Sequence, residues 1–367
     1  MRIAHIGNMA NDGYHCVKAL RSIGLDVELV IDSSDFGMGL PQWEMFNVEA
    51  DPYKKVNVKD LPPLPDWIKA WDSGHKRNTI YMLTEAFRLA RKGEYDLLHL
   101  HFPMGNYLQF VGAPFMIYEA GFLRHMINYG EGWAWTKMGI RAYEHAEAVT
   151  WTNTDMIDMV KSFKTKKEIF IPFAIDIERY KPIVRKRNDS LELLHPSRQC
   201  WDVKGNDRML KAFVRFIGEG YDARLTLVDW GYAEDVAEAK RLLEPVRNCV
   251  RWAAPMNKPR LIEAYQRCDA VLDQFLLGAS GTTGFEAMSC GVPLMIFFKP
   301  SAATCFGELP PCVNAESEQQ ILEGMKMLTD ETYRKELGVN GRKFVERHLS
   351  FPVVANQLKE IYEEVLA

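Results

Sequence analysis

The sequence predicts an α/β protein made of two doubly wound domains, each a mostly parallel sheet covered by helices. Three observations predict it. The chain has 367 residues, beyond the usual reach of one hydrophobic core. In each half, short apolar runs alternate with amphipathic stretches, the rhythm of βαβ units. Between the halves, Lys181–Ser190 is polar, with Lys181, Arg185, Lys186 and Arg187 among Pro, Asn and Asp, and it reads as a linker.

In the first half the expected strands are Arg2–Gly7, Val27–Asp32, Asp96–His101, Pro114–Glu119, Ala148–Asn153 and Glu168–Phe173. One region breaks the rhythm. Ser33–Tyr95 holds Pro62-Pro-Leu-Pro65 with Trp43, Trp67 and Trp71, and is too long and irregular for an ordinary crossover. Trp67 and Trp71 stand four apart and would share one face of a helix, either as core or domain packing or as a platform for a sugar or lipid. The second set of strands is Leu191–Pro196, Arg224–Trp230, Cys249–Ala254, Ala270–Phe275 and Val292–Phe298, with a weaker candidate at Pro310–Ala315. Amphipathic helices are expected at Asp207–Gly218 and Ala233–Leu243. Ligands of such sheets bind outside the carboxyl ends of the strands, so the active site is expected in a cleft between the domains.

Composition narrows the function. The 45 basic against 49 acidic side chains give a formal charge of -4 and no electrostatic footprint for nucleic acid. Seven cysteines, scattered and unpaired in spacing, read as reduced core thiols rather than a zinc or redox site. Met1 leads directly into a strand, without a signal-peptide pattern, and no apolar run approaches the ~20 residues of a membrane span. A cytoplasmic protein is expected, with at most peripheral membrane contact through Lys69, Lys76, Arg77 and the tryptophans, residues that a solvated helix face explains equally well.

The most informative run is Gly278-Ala-Ser-Gly281-Thr-Thr-Gly-Phe-Glu286-Ala-Met-Ser-Cys-Gly291-Val-Pro293, which leads from one strand through a short helix into another. Amides at a helix start suit a phosphate, and a carboxylate one turn in can reach a sugar hydroxyl. Thr283 and Glu286 have the spacing of a capping box, which leaves capping and ligand binding both open for Glu286. Gly291 suits the helix end and Pro293 prevents its continuation. Arg198 precedes Lys204 by six residues at the mouth of the first strand of the second half, where two cations could face one diphosphate.

These residues carry a family resemblance. Phe170-Ile-Pro-Phe-Ala-Ile-Asp-Ile-Glu-Arg-Tyr-Lys-Pro182, Leu194-His-Pro-Ser-Arg198-Gln-Cys-Trp-Asp-Val-Lys204-Gly205, the Gly281–Pro293 run and a C-terminal helix at Ser350–Leu366 together resemble retaining glycosyltransferase family 4, of the GT-B fold. The resemblance implies two Rossmann-like doubly wound domains facing a central cleft. Residues 1–180 would bind the acceptor, 181–350 the nucleotide-sugar donor, and 351–367 would return to the first domain. Arg198 and Lys204 would bind the donor diphosphate and stabilise the leaving nucleotide. Glu286 would hydrogen-bond the ribose, and Gly281, Thr282 and Thr283 would supply amides and hydroxyls to the diphosphate. The base would lie near Trp252–Met256, where Trp252 is equally a core candidate, with Asp229-Trp230-Gly231 a looser one. Asn8, Asn11 and Gly13 occupy the place of the family's glycine-rich loop, where small residues permit close approach.

Two positions depart from the family pattern. Gly278 stands eight residues before Glu286, where the family has a first glutamate touching the transferred sugar. Tyr118-Glu119-Ala120-Gly121-Phe122-Leu123-Arg124 stands where a histidine motif is usual, with His125 directly after it. Strand alternation puts His99 and His101 on one face, and His101 and Glu119 are the acceptor-side candidates. Asp273 falls within a strand, where a structural role is expected. The implied activity is a retaining, metal-independent transfer of a sugar from a nucleotide-diphosphate sugar to a hydroxyl acceptor, a glycan, a lipid-linked or a small molecule. No cofactor and no metal beyond that donor are expected, and the sequence has no Asp-x-Asp triplet. The alternatives are a sugar phosphorylase, a nucleotide-sugar epimerase, or a binding protein that keeps the nucleotide site without catalysis.

Overall fold

The computed structural model describes residues 1–48, 51–71, 84, 88, 93–101, 105–110, 112–124, 133–184 and 189–367. The chain divides into a first unit, Met1–Ala174 with Leu349–Ala367, and a second, Ile175–His348. Lys76, Arg77 and His125 lie outside the described residues.

In the first unit the strands are β1 (Arg2–Ile6), β2 (Asp26–Asp32), β3 (Ser34–Phe36), β4 (Lys55–Asn57), β5 (Ile68–Trp71), β6 (Leu97–Leu100), β7 (Phe115–Glu119), β8 (Val149–Trp151) and β9 (Glu168–Phe170). Seven of them form a parallel sheet in the order β5-β2-β1-β6-β7-β8-β9. Ile3 on β1 registers with Val27 on one side and Leu97 on the other, and all three are buried. Parallel strands are covered on both faces, which is why they read as continuous apolar runs. Helix Asp12–Ser22 contributes Tyr14, Val17 and Leu20 to the core, and helix Phe351–Leu366 contributes Val354, Leu358, Ile361 and Tyr362.

The shared helix face that the spacing of Trp67 and Trp71 would allow does not form. Trp71 ends β5, and the chain from Trp67 to Trp71 satisfies the edge of β2 through Leu29 N to Trp67 O and Ser33 N to Trp71 O. An open sheet edge has unpaired amides and carbonyls, and their pairing overrides the helical spacing of the two indoles. Trp67 stacks on Tyr14 with ring centroids 5.8 Å apart.

The second unit holds β10 (Leu191–His195), β11 (Ala223–Val228), β12 (Val250–Ala253), β13 (Ala270–Leu272), β14 (Leu294–Ile296) and β15 (Val313–Asn314), parallel in the order β12-β11-β10-β13-β14-β15. Each lies within a run expected from the sequence except β11, which begins at Ala223, one residue before its expected run. Helix Asn206–Gly218 buries Met209, Leu210, Phe213 and Phe216, spaced by three and four, against this sheet. Among the described residues, no helix is long and apolar enough to cross a membrane.

Candidate functional site

The order of strands in the second unit creates the crevice. From β10 the chain moves outward through β11 to β12, then returns to pair β13 against the other side of β10. Ligands of open α/β sheets bind at such reversals. The segment after β10 carries Arg198 and Lys204, and the segment after β13 carries Gly278 and Gly281.

His195 ends β10 and anchors the first segment. Its Nδ1 donates to the Leu272 carbonyl at 2.7 Å, which leaves Nε2 to accept from the Asn206 amide at 2.6 Å. Burial lowers its pKa to about 4, so the ring is neutral. Asn206 also accepts from the Cys200 backbone amide at 3.1 Å and donates to the Arg198 carbonyl at 3.3 Å. Two buried side chains thus brace the Arg198–Lys204 loop, and sequence reasoning missed both.

Lys204 extends its ammonium toward Ser197 Oγ at 3.3 Å and Gln274 Oε1 at 3.5 Å. Ser197 in turn donates to Asp273 at 2.6 Å, the structural part expected of that carboxylate. The Gln274 amide donates to the Ala279 carbonyl, so one side chain links the ammonium to the turn that opens the next helix. The Arg198 guanidinium sits 5.6 Å from the centroid of the Tyr232 ring. Gly231 permits this placement: its φ is +147°, and a Cβ there would lie 2.1 Å from the Gln199 carbonyl oxygen.

Helix Thr282–Ser289 has Gly281 as its N-cap, with no side-chain cap. The capping box expected from Thr283 and Glu286 does not form, because Thr283 lies inside the first turn and Glu286 faces elsewhere. Glu286 is fully buried; Lys258 pairs with it, and the Tyr265 hydroxyl lies 3.4 Å from its other oxygen. A buried carboxylate needs such partners. Lys258 escaped the sequence reading, since a Lys-Pro pair opening a helix looks like an exposed terminus. Glu286 has no exposed surface of its own, and Lys258 and Tyr265 occupy its carboxylate.

Gly278 has φ +86°, and a Cβ there would lie 2.5 Å from Cγ of Lys299. The Lys299 stem therefore fills the space a side chain at Gly278 would need. Trp252, on β12, is half-buried against the core, with the Lys240 ammonium 5.3 Å above its ring. Lys240 also pairs with Asp229 at 2.8 Å. Met256 is half-buried in the loop after β12.

In the first unit the reversal falls between β1 and β6. Asn8 accepts from the Tyr14 amide at 2.8 Å and donates to Asn11 at 2.8 Å and to the Gly39 carbonyl at 2.7 Å, while Asn11 donates to the Met38 carbonyl at 2.8 Å. Both asparagines are buried and shape the loop from within, and Gly13 lies buried in the first turn of the following helix. Glu119 is buried and accepts from the Gly121 and Leu123 amides and the Tyr143 hydroxyl, so its carboxylate organises its own loop rather than lying open to an acceptor. Burial raises its pKa despite those donors. His101 is buried at the end of β6, with Nε2 2.9 Å from His5 Nδ1.

The fold and this crevice define the class: two Rossmann-like units with the GT-B fold. Residues 176–344, in the second unit, match the family of glycosyl transferases group 1. Sucrose-phosphate synthase from Thermosynechococcus elongatus is similar at 16% identity and TM-score 0.67, over 100% of this chain and 99% of that one. A glycosyltransferase from Rickettsia africae is similar at 14% identity and TM-score 0.68, over 100% and 98%. Anabaena HepE, solved with UDP and glucose, is similar at 12% identity and TM-score 0.70, over 99% and 100%. At these identities the likeness is one of fold. No curated protein matches the chain.

Proposed function

We propose that this protein is a retaining, metal-independent glycosyltransferase that moves a sugar from a nucleoside-diphosphate sugar to a hydroxyl acceptor. The observation that carries the reading is the Lys204–Gln274–Ala279 connection, which sets an ammonium beside the turn into an uncapped helix start, within the residues that match group 1. Departure of the diphosphate moves the electron pair of the anomeric C–O bond onto a phosphate oxygen. Fixed cations and helix amides stabilise that charge. The acceptor oxygen bonds to the anomeric carbon on the same face, and its proton passes to the departing phosphate. Arg198 and Lys204 take the diphosphate in this scheme, and Glu286 takes the ribose after Lys258 shifts. The acceptor is a glycan, a glycolipid or a small polyol, met in the cytoplasm or at a membrane surface. HepE was solved with UDP and glucose, which makes uridine diphosphate sugars the first donors to try.

The test is a thermal-shift screen with uridine, guanosine and adenosine diphosphates and their sugars, followed by assay of nucleotide release with and without acceptors. One base is expected to raise the midpoint, and release is expected to rise with acceptor. Stabilisation without release at any acceptor favours the binding-protein reading, for which Gly278 speaks. No stabilisation by any nucleotide overturns both.

A further inference from the structure

A chain of buried hydrogen bonds in the first unit ends on an open nitrogen. Thr150 Oγ1 donates to the Ile117 carbonyl at 3.3 Å and lies 3.0 Å from His99 Nε2. His99 Nδ1 lies 2.8 Å from the Tyr362 hydroxyl, which lies 2.9 Å from His5 Nε2. His5 Nδ1 then lies 2.9 Å from His101 Nε2. All three imidazoles are fully buried, and burial pulls each pKa below its usual value, that of His99 to about 3. A neutral imidazole has one donor and one acceptor, and a hydroxyl has one proton.

Those counts give the chain a direction. The Ile117 carbonyl only accepts and takes the Thr150 proton, so the Thr150 oxygen accepts from His99 Nε2–H. His99 Nδ1 accepts from Tyr362, whose oxygen accepts from His5 Nε2–H, and His5 Nδ1 accepts from His101 Nε2–H. His101 Nδ1 is left with a lone pair, buried and without a partner among the described residues. His101 also lines a cavity of about 10 Å³ with Met9, Asp12, Tyr118, Ala120 and Phe122. That is about the space one water-sized group needs.

We propose that this relay holds His101 as its Nε2–H tautomer and presents Nδ1 as the acceptor for one hydroxyl of a polyol ligand entering the cavity. The inference rests on the transferase reading only in taking that ligand to be the sugar acceptor. His101 would touch the ligand; Thr150, His99, Tyr362 and His5 are positioning residues. The rival is a metal centre, since His5, Cys16 and His101 bring ligand atoms within 4.8 Å of one another, a donor set that suits Zn²⁺. A metal there would take nitrogen lone pairs and break the His5–His101 hydrogen bond.

The test needs no turnover, so its failure is distinct from failure of the transferase reading. Long-range proton–nitrogen spectra of the full chain with ¹⁵N-histidine read each tautomer. The expected result is the proton on Nε2 of all three rings, with His101 favouring that tautomer about tenfold. In Tyr362→Phe the His101 ratio should fall toward parity, and Thr150→Val should weaken it from the other end; a packing role for either residue would leave the ratio unmoved. Glycerol should shift the His101 Nδ1 resonance and leave His99 unchanged. A His101 proton on Nδ1 in the wild type, an unmoved ratio in both variants, or Zn²⁺ shifting His5 and His101 together overturns the relay. An Nδ1 resonance indifferent to glycerol assigns the cavity to water and overturns the ligand site.

Discussion

Lys204→Met separates a catalytic cation from a structural one. The ammonium contacts Ser197 and Gln274 at 3.3 and 3.5 Å, beyond the range of a good N–H···O bond. Their loss should cost less than about 0.5 kcal/mol of stability, and methionine keeps most of the stem. In a domain of this size that is roughly 1–2 °C in the unfolding midpoint. The charge counts for more when the diphosphate departs: a charge-assisted bond is worth about 1.5–3 kcal/mol, hence a loss of roughly 10- to 150-fold in kcat/KM. The assay pairs steady-state nucleotide release, using the donor that the thermal-shift screen selects, with thermal unfolding of the unliganded protein. A kcat/KM within about twofold of wild type refutes the assignment. So does a fall in midpoint large enough to account for the whole loss of activity.

Asn206→Ala strips the partners from His195 Nε2 and the Cys200 amide, both buried, and should cost about 1–3 kcal/mol, read as a lower urea midpoint. Gly278→Ala forces a Cβ into the Lys299 stem at a left-handed φ and should cost about 1–2 kcal/mol or more by the same measurement. Acid should destabilise the first unit. His99 titrates near 3 when folded, below its value of 6.5 when unfolded, so the unfolded chain binds the proton first as pH falls. Stability is therefore lost from about pH 6.5 downward, by about 1.4 kcal/mol per pH unit for that one ring, and His99→Asn should flatten the slope of stability against pH by as much as one proton.

What could be read from the sequence follows from the range of each interaction. β6 and β10 were legible because a strand covered on both faces must be mostly apolar, and leucines fill three of the four positions of Leu97–Leu100 and three of the five of Leu191–His195. β5 was not, because Trp67-Ile-Lys-Ala-Trp71 is short, is interrupted by Lys69 and follows a run of prolines, and the open edge of β2 is what pairs it as a strand. The candidate site divides in the same way. The glycines and the helix start around Gly281 are local features, whereas Lys258 meets Glu286 across 28 residues, Gln274 meets Lys204 across 70, and Tyr362 meets His5 across 357. Gly278 is the sharpest case. The sequence reveals a missing carboxylate there, but only the packing of Lys299 reveals that the space is already taken. One local sign of these long-range partners does exist. His99, His101, His195, Asp273 and Gln274 are polar residues at or just beyond the carboxyl ends of otherwise apolar parallel strands, and all five are buried. A polar group there must find a partner or lose several kcal/mol of solvation, so its position marks a network before any partner is known.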